Sequence, residues 1–135
     1  MISMFEAKGF NKTELVALTG AHTIGRKLDH TPLDKTVDKW DNRFYTDTSA
    51  NETPGFIQSD KFLSQAGETG EDWRYMGRSY ENFMTSFIPA MEKMSMMGND
   101  INGMADCSGI ISWYYGHVRG AARRKVLLSG RRFGY

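Results

Sequence analysis

Helical spacing of the apolar residues constrains the fold of this 135-residue chain more than any other feature. The clearest case is the segment 80–97, which ends at Gly98, a residue typical of a helix terminus. Its predicted apolar stripe consists of Phe83, Phe87, Met91 and Met94. The pattern therefore predicts an all-α fold.

Two helical segments precede that helix in the N-terminal quarter of the chain. Apolar residues at helical spacing are interrupted at Gly9 and resume after Asn11, with Glu14 three positions further on. Asn followed by Glu at this distance is typical of a capping box, so a helix is predicted over 13–27. His22 falls in its last turns.

Residues 28–55 show no sustained period of either kind and are rich in Asp, Thr and Pro. They predict a long ordered loop around a short helix at 40–46, and such loops are often organised by a ligand or metal. Shorter predictions follow: single helical turns at 61–65 and 71–76, and an extended segment at 103–113.

Composition excludes some classes of protein. No apolar run is long enough to cross a bilayer, and the first twelve residues lack the pattern of a signal peptide. Cys107 is the only cysteine, so the chain cannot form an intrachain disulfide, and a reducing compartment is expected.

Charge is distributed unevenly along the chain. No acidic residue follows Asp106, whereas six basic residues do. We therefore expect a domain at 1–113 and a basic C-terminal tail at 114–135. Such a tail is either merely solvated or attracts nucleic acid or anionic lipid, and no recognisable nucleic-acid module accompanies it.

The segment 15–26 reads Leu-Val-Ala-Leu-Thr-Gly-Ala-His-Thr-Ile-Gly-Arg, with one histidine among small residues. Gly20, Ala21 and Gly25 are expected to let a flat ligand approach, although a lone His is often only structural. The run resembles the proximal-helix signature of the plant, fungal and bacterial haem peroxidase superfamily. This resemblance implies that His22 is the haem iron ligand and that Arg26 pairs with a haem propionate.

A second matching segment, 55–63, contains the pair Ser59-Asp60 after a short apolar stretch. It resembles the family segment whose acid accepts the proton of the proximal imidazole. The resemblance therefore places Asp60 in the catalytic centre as the partner of His22, which lowers the iron potential. An alternative role, compatible with the first, is that Asp60 is the N-cap of a short helix beginning at Lys61.

A third segment, 32–41, resembles the proximal calcium loop of secreted fungal, class II, peroxidases. It contains an Asp, a Thr two residues later and a second Asp seven residues after the first. Calcium binds oxygen ligands, and the resemblance assigns this role to five residues. They are Thr23, Asp34, Thr36, the carbonyl of Lys39, and Asp41. The alternative is a solvated acidic loop.

The resemblance extends from about Met4 to Ile111 and includes 87–94 and 104–108. Several positions depart from the class II pattern. Glu71 replaces the cysteine that pairs with the last one, so the disulfide is lost. Ala17 replaces the surface Trp of lignin-oxidising members, and Leu28 replaces an acid of manganese-oxidising members, which disfavours both activities. Leu33 replaces an aromatic residue before the first calcium Asp.

The sequence thus predicts an all-α proximal haem half-domain with a long metal-organised loop, acting in a hydrogen-peroxide-dependent oxidoreductase with haem b and calcium. Its partners are hydrogen peroxide, an unidentified reducing substrate and a candidate distal-half chain. The family's distal Arg and His lie upstream of every matched segment, and Arg26 and His30 belong to the proximal side. Weak activity is therefore expected. The alternatives are a non-catalytic haem-binding or calcium-binding remnant, and a pseudogene fragment that does not fold alone.

Overall fold

The computed structural model describes residues 1–105, 107 and 109–110. Within these residues no strand is present, and an isolated antiparallel bridge joins Arg26 to Pro32. The all-α prediction is confirmed. The helices are α1 (Ile2–Glu6), α2 (Lys12–Thr19), α3 (Arg43–Ala50), α4 (Gln58–Gln65), α5 (Gly70–Arg78) and α6 (Tyr80–Met96), with 3₁₀ turns at Gly20–Ile24 and Ile101–Gly103.

The chain divides into two compact units, Met1–Met97 and Gly98–Tyr135. The first unit contains α1 to α6, and the second contains the 3₁₀ turn Ile101–Gly103. Residues 106, 108 and 111–113 of the predicted extended segment and the whole predicted basic tail lie outside the described residues, and Gly109 and Ile110 are helical rather than extended. Among the helices that the structure describes, none has the length and apolar character needed to cross a membrane.

Helix α2 begins as the sequence predicts. The backbone N–H of Glu14 donates to Asn11 Oδ1 at 2.8 Å, and the N–H of Asn11 donates to Glu14 Oε2 at 2.8 Å. Gly9, just before, has a φ of +86°, a left-handed conformation that glycine adopts without strain. The predicted capping box is confirmed, and it fixes where the segment leading to His22 starts.

The predicted end of this helix at residue 27 is wrong, because α2 stops at Thr19 and tightens into the 3₁₀ turn Gly20–Ile24. At Gly20 the backbone lies against the core so closely that a Cβ would overlap Phe83 Cε2 and the Tyr45 hydroxyl. This contact involves residues far apart in sequence. Helical periodicity alone therefore does not show the change of helix type.

Aromatic core residues hold α2, the helix that leads to His22, through buried hydrogen bonds. The Tyr45 hydroxyl donates to the carbonyl of Val16 at 3.0 Å, and Trp73 Nε1 donates to the carbonyl of Tyr45 at 2.9 Å. Both polar groups are buried, so these bonds offset their desolvation. The main core residues are Phe10, Leu15, Val16, Ala17, Leu18, Phe44, Tyr45, Leu63, Trp73, Met76, Phe83 and Ala90.

Other helices differ in extent from their predictions. Helix α3 occupies Arg43–Ala50 rather than 40–46, α4 begins at Gln58 rather than Lys61, and α5 covers Gly70–Arg78 rather than 71–76. Helix α6 matches its prediction to within a residue. On α6, however, Phe83 and Ala90 are buried whereas Met91 is exposed, so Met91 does not belong to the core stripe.

Candidate functional site

His22 lies in the 3₁₀ turn Gly20–Ile24, and its side chain is 37% exposed. Its Nδ1 lies 2.8 Å from Asp60 Oδ2, a contact between segments 38 residues apart. An ionised carboxylate only accepts hydrogen bonds, so this contact favours the tautomer with the proton on Nδ1. The lone pair of Nε2 is then available to a ligand or metal.

Asp60 is held in the first turn of α4, and its side chain is only 5% exposed. The N-cap of α4 is Ile57, so the alternative that Asp60 caps a helix starting at Lys61 is wrong. Ser59 Oγ donates to Asp60 Oδ1 at 3.3 Å. The positive end of the α4 dipole favours the negative charge in this turn. Helix α4 thus places the carboxylate of Asp60 against His22 and stabilises its negative charge through the helix N-terminus.

Phe44 of α3 packs against the imidazole of His22. The rings of His22 and Phe44 meet edge to face, with centroids 5.6 Å apart and planes at 89°. Phe44 is itself buried against Tyr45 and Trp73. His22 is therefore bounded by a carboxylate from α4 and a core aromatic ring from α3.

The glycines near His22 serve packing. Gly20 faces Phe83 and Tyr45, so the expectation that it lets a ligand approach is wrong. A Cβ on Gly25 would lie 3.0 Å from Leu33 Cδ1, and one on Gly55 would lie 2.6 Å from the carbonyl oxygen of Pro32. Gly55 also lies next to Leu33. Leu33 thus joins the backbone after His22 to the backbone before α4.

Apolar side chains remain exposed in the segments that Leu33 joins. Ile24 and Leu28 follow His22 in the chain, and Phe56 follows Gly55. Ile24 and Phe56 are half exposed, and Leu28 is fully exposed. Exposed apolar side chains in the segments that follow His22 and precede α4 suit contact with a flat apolar ligand such as a haem.

Arg26 lies one residue beyond Gly25, where it forms the bridge to Pro32. Its Nη2 is 3.4 Å from Asp38 Oδ1, and its Nη1 is 3.4 Å from the carbonyl oxygen of His30. Both distances are long for hydrogen bonds. Asp38 is almost fully exposed, so this pair is a weak surface interaction and leaves the guanidinium able to bind another carboxylate.

Four of the five residues assigned to calcium lie close together, and one of them, Thr23, directly follows His22 in the sequence. Asp34 is fully buried, and its Oδ2 accepts from Thr23 Oγ1 at 2.7 Å. The N–H of Thr36 donates to Asp34 Oδ1 at 3.0 Å. Thr36 Oγ1 lies 3.0 Å from Asp41 Oδ2. Two carboxylates and two hydroxyls therefore form one connected oxygen cluster, the Asp34 cluster.

The chemistry of this cluster suits a hard cation. Among the residues that the structure describes, neither Asp34 nor Asp41 forms an ion pair with Lys or Arg. The same part of the chain has no group of three or more His, Cys, Asp or Glu side chains placed to hold a metal. Calcium also uses hydroxyls and carbonyls, which fits the cluster better than a transition metal would. Lys39 lies in the same turn, and its N–H donates to the carbonyl of Thr36 at 2.7 Å.

Sequence reasoning missed two buried charged residues in α3 and α4, the helices that contact His22. Lys61 follows Asp60 and is 8% exposed, and Asp47 of α3 is 5% exposed. Asp47 Oδ2 has no hydrogen-bond partner among the described residues. Burial raises the pKa of Asp47 above its usual value, against the opposing effects of Lys35 and Arg43. Both residues fall where a loop or a short turn was predicted, so no periodicity indicated their burial.

Known proteins extend this description. A family model described as "Peroxidase" matches residues 1–79. A peroxidase of Coprinopsis cinerea is 30% identical over 127 residues, which cover 76% of this chain and 35% of the relative. Manganese peroxidase 3 of Phlebia radiata is 27% identical, with 78% and 36% covered, and versatile peroxidase VPS1 of Pleurotus eryngii is 26% identical, with 82% and 36% covered.

The family match includes more than half of the chain and contains His22, Asp60 and the Asp34 cluster. This chain belongs to the peroxidase family. It spans about a third of the length of the curated relatives that it matches.

Proposed function

We propose that this chain carries the proximal haem site of a hydrogen-peroxide-dependent oxidoreductase, with His22 as the iron ligand. The observation that carries the proposal is the 2.8 Å contact between His22 Nδ1 and Asp60 Oδ2. Metal-ligating histidines typically donate their second ring proton to a carboxylate or carbonyl in this way. Membership of the peroxidase family supports the same assignment.

The bound haem would supply the redox chemistry with peroxide. The protein's own part is to hold the proton on His22 Nδ1, orient the ring and present Nε2. Asp60 is a positioning residue in this scheme, because it acts through His22. Its carboxylate makes the imidazole more electron-rich, which stabilises oxidised iron and lowers the iron potential.

Arg26 is proposed to bind a haem propionate. Its present contacts with Asp38 and His30 are long and lie at the surface, so exchanging them for a carboxylate costs little. Guanidinium and carboxylate form paired hydrogen bonds of matching geometry. The exposed side chains of Ile24, Leu28 and Phe56 would cover the apolar edge of the ring.

The Asp34 cluster is proposed to bind calcium, with the carbonyl of Lys39 as a further ligand. Thr23 is the residue after His22, and its hydroxyl already contacts Asp34 at 2.7 Å. A cation here would therefore tie the His22 turn to the loop. This role is one of stability and placement rather than of redox chemistry.

Peroxide cleavage also needs a general base and a cation on the opposite face of the haem. We propose that these groups come from the part of the family's length that this chain does not cover, on the same polypeptide or on another. The reducing substrate is proposed to be a reductant other than manganese, because Leu28 offers no oxygen ligand at its position.

Adding haem to the full chain tests the proposal. We expect a Soret band typical of histidine-ligated haem and only slow oxidation of a dye by peroxide. Haem binding with no turnover at all would favour a non-catalytic haem-binding role. The absence of any specific haem spectrum in a chain that folds, as judged by circular dichroism, would contradict the proposal.

A further inference from the structure

We propose that Lys61 is a positioning residue for the proximal site. Its hydrogen bonds clamp α4 to the end of α3 and thereby keep Asp60 in place against the His22 ring. The expected effect of Lys61 on the iron potential rests on the proposed function. The effect of Lys61 on the hydrogen bond between His22 and Asp60 does not, and it is tested separately in the chain without haem.

Lys61 is a buried lysine whose ammonium contacts backbone oxygens. Its Nζ donates to the carbonyl of Ser49 at 2.8 Å and to that of Thr48 at 3.3 Å. Both carbonyls lie in the last turn of α3, which ends at Ala50 before the left-handed residue Asn51. The last carbonyls of a helix lack partners within it, and they form the negative end of its dipole. The carbonyl of Ser49 accepts from this ammonium, whereas that of Thr48 also accepts from the N–H of Asn51 at 3.2 Å. The positive charge of Lys61 lies at the negative end of the α3 dipole.

The position of Lys61 makes this clamp relevant to His22. The preceding residue, Asp60, accepts from His22 Nδ1, and the helix that Lys61 contacts carries Phe44 against the same ring. The carboxylate and the aromatic edge that bound the imidazole therefore belong to the two helices that Lys61 joins. A change in the spacing of α3 and α4 would therefore move the carboxylate of Asp60 relative to the Phe44 ring against which His22 packs.

The ammonium group lets Lys61 fix the spacing of α3 and α4 through hydrogen bonds rather than only fill the space between them. In the described part of the chain Lys61 has no ion pair with a carboxylate, so the two carbonyls offset the cost of burying its ammonium. An apolar side chain of equal length would fill the space without fixing α4 to any atom of α3. Lys61 instead sets that spacing through hydrogen bonds of defined length and direction.

The test compares Lys61→Met with Lys61→Arg. Lys12→Met is the matched control, because Lys12 pairs with Glu68 at the surface. In the chain without haem, NMR with isotope-labelled histidine detects the proton on His22 Nδ1, and the signal is assigned by its loss in Asp60→Asn. We expect Lys61→Met to lose this signal through exchange with water, Lys61→Arg to restore it, and Lys12→Met to leave it unchanged.

With haem bound, the midpoint potential of the iron gives a second readout. We expect Lys61→Met to raise it, in the same direction as Asp60→Asn, and Lys61→Arg to return it toward the wild-type value. A lower melting temperature in Lys61→Met with an unchanged Nδ1 signal would overturn the proposal, because Lys61 would then be only structural. If Lys61→Met does not fold, Lys61→Leu takes its place, because Leu also lacks a donor, and a retained signal there is equally decisive. If the wild-type chain binds no haem, the proposed function fails while the NMR comparison still decides the role of Lys61.

Discussion

The hydrogen bond between His22 and Asp60 favours the tautomer of His22 with its proton on Nδ1, which leaves Nε2 free for the proposed role as a ligand. Replacing Asp60 by Asn keeps the shape but weakens the acceptor, because an amide carbonyl attracts the Nδ1 proton less than a carboxylate does. We expect Asp60→Asn to retain haem and to raise the iron potential in a spectroelectrochemical titration. Glu81→Gln, at an exposed position of α6, is the control. An unchanged potential in Asp60→Asn would remove Asp60 from this role.

Asp47 provides a prediction about pH. Its folded-state pKa is raised by burial, so the folded chain binds this proton more tightly than the unfolded chain does. Stability therefore falls as pH rises from the unfolded value of 3.8 through the raised folded value. We expect Asp47→Asn, melted in a chelator at neutral pH, to be more stable by roughly 1 kcal/mol, a few degrees in melting temperature. The gain should vanish near pH 3, and a gain that persists there would show that charge is not its cause.

Among single residues, the sequence predicted those whose identity is set by a local motif. His22 and Asp60 lie in segments that resemble the family, and the structure places them in contact, although their roles stay predictions. Lys61 and Asp47 were missed because burial of a charged residue depends on which helices pack around it. Gly20 was misinterpreted for the same reason, since Phe83 lies 63 positions away in the sequence.

At the scale of elements, helix starts were predicted better than helix ends. The capping box of α2 is a local signal and is confirmed, whereas the early end of α2 coincides with the close packing of Gly20 against Phe83 and Tyr45. Helix α3 was placed too early because its core residues, Phe44 and Tyr45, are adjacent in sequence and do not show helical spacing. Such an element is defined by the tertiary core rather than by its own pattern.

The loop between the 3₁₀ turn and α3 gives a prediction about calcium. A ligand that binds only the folded state stabilises it by mass action, by about 2.7 kcal/mol at a concentration a hundredfold above Kd. We expect calcium to raise the melting temperature, and Asp34→Ala and Asp41→Ala each to remove that rise. Asp38→Ala, at an almost fully exposed position of the same loop, should keep it. A melting temperature that ignores both calcium and chelator would mean that the Asp34 cluster is held by hydrogen bonds alone.

At the scale of the whole molecule, the unit Met1–Met97 contains all the residues proposed for haem and calcium. We expect the haem-loaded chain to react slowly with peroxide, because general acid–base catalysis is worth about 10²-fold to 10⁴-fold and charge stabilisation about 10²-fold to 10³-fold. Stopped-flow absorption measures this rate. Rapid reaction at the rate of a complete peroxidase would contradict the proposed location of the opposite-face groups outside this chain.

A haem titration of histidine variants, followed by absorption, tests most directly whether His22 is the iron ligand. His22→Ala should lose the histidine-ligated spectrum, and added imidazole should restore it by binding the iron in place of the missing ring. His30→Ala and His117→Ala, the latter outside the described residues, should titrate like the wild type. Equal loss in all three variants, or a His22→Ala spectrum identical to that of the wild type, would contradict the assignment.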